Sequence, residues 1–450
     1  MAISKLRNFL FASIDPSALA IFRIVFGAFM MYQTIYYLNI DYARQFMSGP
    51  EFLFAYEGLA FIKPMSYGIL KAINIGMIVA AGLIGLGFLY RWASIFFFLG
   101  FSYFTLIDKT IYNNHLYLIM LLALVMIFMR ADEKYSLKRI IKKSSVKAIP
   151  AWNQYLLAFL IGLPYFFGGI AKLSPNWLQT DLVNQIVSKT QDTFITGIFS
   201  DSILIPFFKY GGLVYDLGIV FLLCFRKTRW FAFGLVVLFN LTNHAVLFND
   251  IGLFPFLMIF STVLFFDGAR LGAYLDKLLA KLKFSGVSEL QHSTSSNAGN
   301  GLTFGLLLFF IIFQLLFPLR HHLLTYNPEW TGVAQRFSWR MKLQSKTPVV
   351  MQMELQDPTT KQVIPVDVQT FMTANQRIHF LEDPFNVVAL AKYIKSKAEE
   401  QGVGKGLQLK ADIQVIFNGK AIQPYIEPNK DLTAISNSKI GNDDWIKPLR

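Results

Sequence analysis

The chain has 450 residues, of which 54% are hydrophobic and 45 are phenylalanine, with a formal net charge of +14 and a mean hydropathy of +0.44. So much apolar surface exceeds what a soluble core buries and calls for lipid, so a polytopic membrane protein is expected. The basic residues sit mostly in loops between apolar runs, with no RNA- or DNA-binding motif, which argues against nucleic acid; the single cysteine, Cys224, excludes an intrachain disulfide and a cysteine-built metal site.

In chain order, apolar runs fall near 18–38, 69–90, 92–107, 116–130, 152–171, 211–225, 230–247, 251–266 and 302–319. They predict a polytopic α-helical membrane domain of about nine spans over 1–319, several of them short. The first run is long enough to span and no small-residue cleavage site follows it, so a signal peptide is not expected. Basic clusters at Lys5 and Arg7, from Arg130 to Lys147, at Arg226, Lys227 and Arg229, and from Arg270 to Lys283 all fall on the cytoplasmic side if the count is nine. The segment Gly286 to Gly301 reads as a flexible cytoplasmic linker. The tail, 320–450, then lies on the extracytoplasmic face and reads as β-rich. Strands are predicted at Phe337 to Leu343, Val349 to Leu355, Gln362 to Val368 and Leu407 to Phe417, with a hairpin turn at Asn418-Gly419 and one helix from Pro384 to Gln401.

Polar residues interrupt this pattern at one membrane edge. Asp108-Lys109-Thr110-Ile111-Tyr112-Asn113-Asn114-His115 separates the third and fourth runs; Lys172 ends the fifth; Asn243, His244, Asn249 and Asp250 join the seventh and eighth. Each has a plain structural explanation. Lys172 can snorkel to headgroups, Gly168-Gly169 can be a close helix contact, His115 can bridge helices, and His244 can sit at the wet interface. The isolated charges Arg23 and Asp216 are expected to be structurally paired. No third histidine or carboxylate stands at ligand spacing, so no metal is expected. The chemical alternative centres on Lys172: an amine against an apolar wall loses preference for its charged form and becomes a base. Beside imidazole and amide donors it would deprotonate a phenol-like hydroxyl and hold the anion, and membrane-embedded phenols are chiefly quinols.

The strings Asp108-Lys109-Thr110 through Asn113-Asn114-His115 and Tyr165 through Trp177 resemble the vitamin K-dependent γ-glutamyl carboxylases and their bacterial relatives with the horizontally transferred transmembrane domain. Weaker likeness continues through Phe22-Arg23-Ile24, Gly211 to Leu217, Ile251 to Phe254, Phe337 to Met341 and Asp444 to Leu449. The resemblance implies an integral-membrane enzyme that couples oxygenation of reduced vitamin K, by O2, to carboxylation of a protein glutamate by CO2. It places Lys172 as the base that deprotonates the quinol, His115 stabilising negative charge, and Asn114 and Asn113 orienting it, with Tyr112, Asn113, Tyr165 and His244 around the quinol. The partners it implies are membrane lipid, a phylloquinol or menaquinol, and a glutamate-containing peptide presented by the outer domain. Tyr112 stands where the animal enzymes carry Trp, and Ala171 where they carry a second Lys. With one cysteine the animal disulfide cannot form, so the two domains are expected to be held by packing alone. The chain ends at Arg450, short of the animal enzymes' extra C-terminal region, which suggests a bacterial inner-membrane member. Two other readings stay open: a quinol epoxidase or oxidase that does not carboxylate, and a transporter or binding protein. Transport usually places charges near the bilayer midplane, whereas here they crowd one edge.

Overall fold

The computed structural model describes residues 2–188, 198–247, 251–281, 290–291, 301–324, 326–439, 441 and 444–450. Each of the nine apolar runs is helical within those residues. An amphipathic helix, α1 (Ala2–Phe11), precedes α2 (Ser17–Asn39), α3 (Tyr67–Leu86), α4 (Tyr90–Leu106), α5 (Asn114–Met126) and α6 (Trp152–Lys172). Then come α7 (Gly212–Cys224), α8 (Arg229–Thr242), α9 (Phe254–Ser261), α10 (Gly268–Lys281) and α11 (Gly301–Leu316).

Among the described residues, five stretches have the length and apolarity of a membrane span: α2, α3, α6, Asp201–Cys224 ending in α7, and Gly301–Leu323 beginning with α11. A sixth results if Phe254–Phe265 and α10, bent by 108° from each other, count as one. Five to six spans are thus supported where the sequence suggested nine. The reason is length: α4 and α5 have 17 and 13 residues, at most about 26 Å at 1.5 Å per residue against a hydrocarbon core of about 30 Å. The bend before α10 has a local cause. A Cβ on Gly268 would stand 2.7 Å from the Asp15 carbonyl oxygen, so glycine lets α10 lie against the start of α2, and Lys134 pairs with Asp276 there at 2.8 Å.

Arg23, a lone charge in α2, has no carboxylate partner at ion-pair distance among the described residues. Its guanidinium donates to the carbonyls of Ile84 (3.2 Å) and Tyr135 (2.5 Å), satisfying the open C-terminal end of α3. The linker expected over 286–301 lies almost wholly outside the described residues, apart from Leu290–Gln291, which pair in parallel with Val146–Lys147, and Gly301, the first residue of α11.

The C-terminal region contains an antiparallel sheet of β1 (Lys346–Gln356), β2 (Val363–Val366), β3 (Gln408–Phe417) and β4 (Gln423–Pro424), in the order β2-β1-β3-β4. Alternate residues of β3, namely Leu409, Ala411, Ile413, Val415 and Phe417, share one buried cluster with Val387, Leu390, Ala391 and Ile394 of α12 (Phe385–Glu400). The sheet is therefore packed by a helix, and the region is mixed rather than purely β-rich. Asn418 (φ 50°) and Gly419 (φ 78°) both take left-handed backbone, the signature of the tight hairpin expected between β3 and β4.

The strand expected over Phe337 to Leu343 does not form. Phe337, Trp339 and Lys342 have φ of 61°, 58° and 53°, values that break a pleated ladder. The alternation of apolar residues that mimicked a strand has another origin: Trp339 is buried in the membrane-domain core, with Phe337 packed against it, while Leu343 belongs to a small cluster with Ala171 and Trp177. Exchange runs the other way too, since Phe54, from the loop before α3, is buried in the C-terminal cluster.

Packing is also not the sole bond between the two regions. Asp383, whose side chain is fully buried, pairs with Arg336 (2.6 Å), Lys439 (2.6 Å) and Lys109 (3.4 Å), and Lys109 and Lys439 each reach Glu57 at 3.2 Å. Lys109 and Glu57 come from membrane-domain loops, so this ion cluster does part of what a disulfide would do.

Candidate active site

Two caps shape the Asp108–His115 segment. The Asp108 Oδ1 accepts from Thr110 N–H at 2.8 Å, closing a turn over Lys109–Ile111, and Asn113 Oδ1 accepts from Leu116 N–H at 2.9 Å, starting α5. The segment thereby acquires two faces. Lys109 joins the Asp383 cluster, and Gln376 donates to Asp108 Oδ2 at 2.8 Å. Burial pushes the Asp108 carboxyl upward. Burial alone would also raise Asp383, yet the charges of Lys109, Lys439 and Arg336 hold it well below the usual carboxylate range. Asp108 and Lys109, which the sequence placed with the polar site, therefore dock the outer region.

The other face borders a cavity of about 1580 Å³ that runs between α2, α6, α7, α8, α9 and the C-terminal region. Tyr112, Asn113, Asn114, His115, Tyr165, Lys172 and His244 all line it. Asn249 and Asp250, taken with this edge in the sequence, lie outside the described residues.

Lys172 is mostly buried and ion-paired with Asp216 of α7, and its Nζ stands 5.3 Å from the centre of the Trp177 ring. It neither snorkels nor sits against a purely apolar wall; the wall carries a carboxylate. The close helix contact foreseen at Gly168-Gly169 exists and is what permits this pair. A Cβ on Gly169 would stand 2.8 Å from the Leu217 side chain and 2.9 Å from its backbone nitrogen, so α6 and α7 touch backbone to backbone one residue from Asp216. Met341 closes the same corner, 3.2 Å from where a Cβ on Gly168 would be.

Across the cavity the His115 ring stacks on Phe254, centroids 3.9 Å apart and 20° between planes. The Tyr112 hydroxyl donates to Asn114 Oδ1 (3.0 Å) and accepts from Phe337 N–H (2.7 Å), while Asn114 Nδ2 donates to the Arg340 carbonyl (3.4 Å). Tyr165 accepts from Asn240 Nδ2 at 3.1 Å. His244 meets the edge of Phe256 at 5.0 Å.

Residues 11–269 match the model of the HTTM domain, and residues 299–450 match that of the vitamin K-dependent gamma-carboxylase, lumenal domain. The chain belongs to the vitamin K-dependent gamma-carboxylase family. It is thus a gamma-carboxylase-type membrane protein whose C-terminal region corresponds to the family's lumenal domain, and a loop of that domain, Gln335 to Gln344, forms one wall of the cavity. No solved structure matches the chain.

Three elements of the site escaped the sequence reading. Asp216 is expected from the sequence to be structurally paired, but its partner, Lys172, is not legible there; its position one residue before Leu217, which faces Gly169, is visible only in the packing. Asn240 lies inside an apolar run and gave no pattern. Arg340 looked like the solvent side of a strand.

Proposed function

We propose that this protein is an integral-membrane, vitamin K-dependent gamma-carboxylase and quinol epoxidase, with Lys172 and Asp216 as its proton-accepting pair. The observation that carries the reading is the buried Lys172–Asp216 pair at the polar end of a cavity whose other wall presents His115 and Asn114. The cavity exceeds the roughly 300–1,000 Å³ of ordinary ligand sites, leaving room for a quinol and a substrate side chain together. Its apolar lining from α2, α7 and α8 suits an isoprenoid tail.

Reduced vitamin K, when bound, supplies with O2 the strong base that removes a glutamate γ-proton, so that CO2 adds and vitamin K epoxide is released. The chain's own part is to hold and move protons. For Nζ to act as the base, the pair's one proton rests on the Asp216 carboxyl and leaves a neutral amine; Nζ then takes the proton that the quinol hydroxyl gives up, and the ammonium so formed faces the anion. The Trp177 ring excludes water from the amine on one side. His115, one face stacked on Phe254, lines the cavity, where a ring N–H would serve developing negative charge, and Asn114 is oriented by Tyr112 for the same task. Asn113 sets the start of α5, while Tyr165 and His244 complete the wall around the ring. In this reading the catalytic unit is 1–319, the substrate-presenting domain is 320–450 on the extracytoplasmic side, and the setting is a bacterial inner membrane.

The test uses purified protein in detergent with reduced vitamin K, labelled bicarbonate and a glutamate-containing peptide, beside Lys172→Ala and Asp216→Ala. Epoxide and label both appearing, and both lost in the variants, is the expected result. Epoxide without label would leave an uncoupled quinol epoxidase; neither product with phylloquinol or menaquinol would overturn the reading.

A further inference from the structure

The two halves of the site come from separate parts of the membrane domain, yet both are tied to one residue of the lumenal-type domain. Arg340 has a side chain only 5% exposed, and its guanidinium grips Glu329 through Nε and through Nη2 (3.0 Å). Its Nη1 donates to His321 Nε2 at 2.9 Å, so the His321 Nδ1–H donates to the Pro318 carbonyl at 2.8 Å. Glu329 accepts from Asn176 Nδ2 at 2.8 Å, and Asn176 and Asn327 exchange amide hydrogen bonds of 3.1 and 3.2 Å. Asn176 immediately precedes Trp177, whose ring backs the Lys172 amine. That is the first tie. The second is the Arg340 carbonyl, which accepts from Asn114 beside His115.

A buried guanidinium with a bidentate carboxylate has one geometry, unlike a flexible lysine. We propose that Arg340 is a positioning residue: through Glu329 and Asn176 on one side and Asn114 on the other, it sets the span between Lys172 and His115 across the cavity. The inference rests on the catalytic reading above for its kinetic consequence but not for its structural one. Removing Arg340 alone would strand the Glu329 carboxylate in the interior and risk the fold, so the decisive variant is the neutral pair Arg340→Gln/Glu329→Gln, with Arg340→Lys as the conservative comparison.

Two readouts test it on the full chain in detergent. Hydrogen exchange followed by mass spectrometry is expected to show faster exchange in the double variant at both 112–117 and 174–178, although these segments belong to different elements. Quinol turnover is expected to fall in kcat by about 100-fold, as a misplacement near 1 Å costs, with KM changed less than about threefold, and Arg340→Lys is not expected to restore it. Unchanged exchange at either segment, or wild-type kcat in the folded double variant, would overturn the proposal. If the wild-type protein turns over no quinol, the exchange result still decides whether Arg340 joins the two segments.

Discussion

Replacing Asp383 by asparagine tests whether the ion cluster fastens the outer region to the membrane part. The substitution preserves shape and removes charge. It leaves Lys109, Arg336 and Lys439, with side chains 3%, 8% and 11% exposed, facing one another without their shared anion. Breaking a buried pair by deleting one partner costs about 3–5 kcal/mol. Glu57, 43% exposed, still reaches both lysines, so the low end, about 3 kcal/mol, is expected. At roughly 2–4 °C per kcal/mol for domains of this size, the unfolding temperature should fall by about 6–12 °C. The assay is thermal unfolding in detergent followed by tryptophan fluorescence. The Asp383 carboxyl is held below its unfolded value of about 3.9, so its stabilisation is fully present above that pH and is lost only as pH falls through the folded value. The gap between wild type and variant should therefore be widest near pH 5, and narrow toward pH 8 as Lys346 and Lys439, no longer held up by the Asp383 charge, shed their protons more easily. A variant melting within about 1 °C of wild type would refute the reasoning.

Burial pushes the Lys346 ammonium down from 10.5 to about 7. The unfolded chain then binds more protons between those values, so stability should rise with pH across that window; Lys346→Met should flatten the rise, and an unchanged slope would show another group responsible. Lys172→Met and Asp216→Asn should each cost about 100-fold or more in quinol turnover, and the double variant little more than the worse single one, because paired groups act as a unit; additive losses would separate their roles. Gly169→Ala should destabilise by about 1–3 kcal/mol by forcing α6 from α7 and should lower turnover, whereas Gly212→Ala, with no atom within 4 Å of the added methyl, should melt at or above the wild-type temperature. Equal melting of the two would contradict the close-contact explanation.

Apolar periodicity made the membrane helices legible, and period-two alternation made β1, β2 and β3 legible, because both reflect burial over many residues. It failed where alternation had a different cause, at Phe337 to Leu343, whose side chains serve separate cores. The residues lining the cavity were legible one by one, as polar groups where lipid should be. Their partners were not: the pairing of Lys172 with Asp216 and of Lys109 with Asp383 depends on contacts 44 and 274 residues apart in sequence. The count of nine spans goes beyond what the helix lengths support, since hydropathy marks where a chain is apolar and not how far its helix extends.

Ala334, Phe337, Trp339 and Lys342 all hold left-handed backbone within nine residues, each at a cost of about 1–2 kcal/mol. Part of what compensates that cost belongs to the membrane part: the Tyr112 hydroxyl for Phe337, the Asn114 amide for Arg340, and the core that receives Trp339, beside the tail's own Glu329 for Arg340 and Asp383 for Arg336. The segment therefore lacks part of its support until those helices are assembled. As the tail is synthesised after those helices, they serve as part of its mould, and the order in which the chain is made is also the order in which the cavity can be closed.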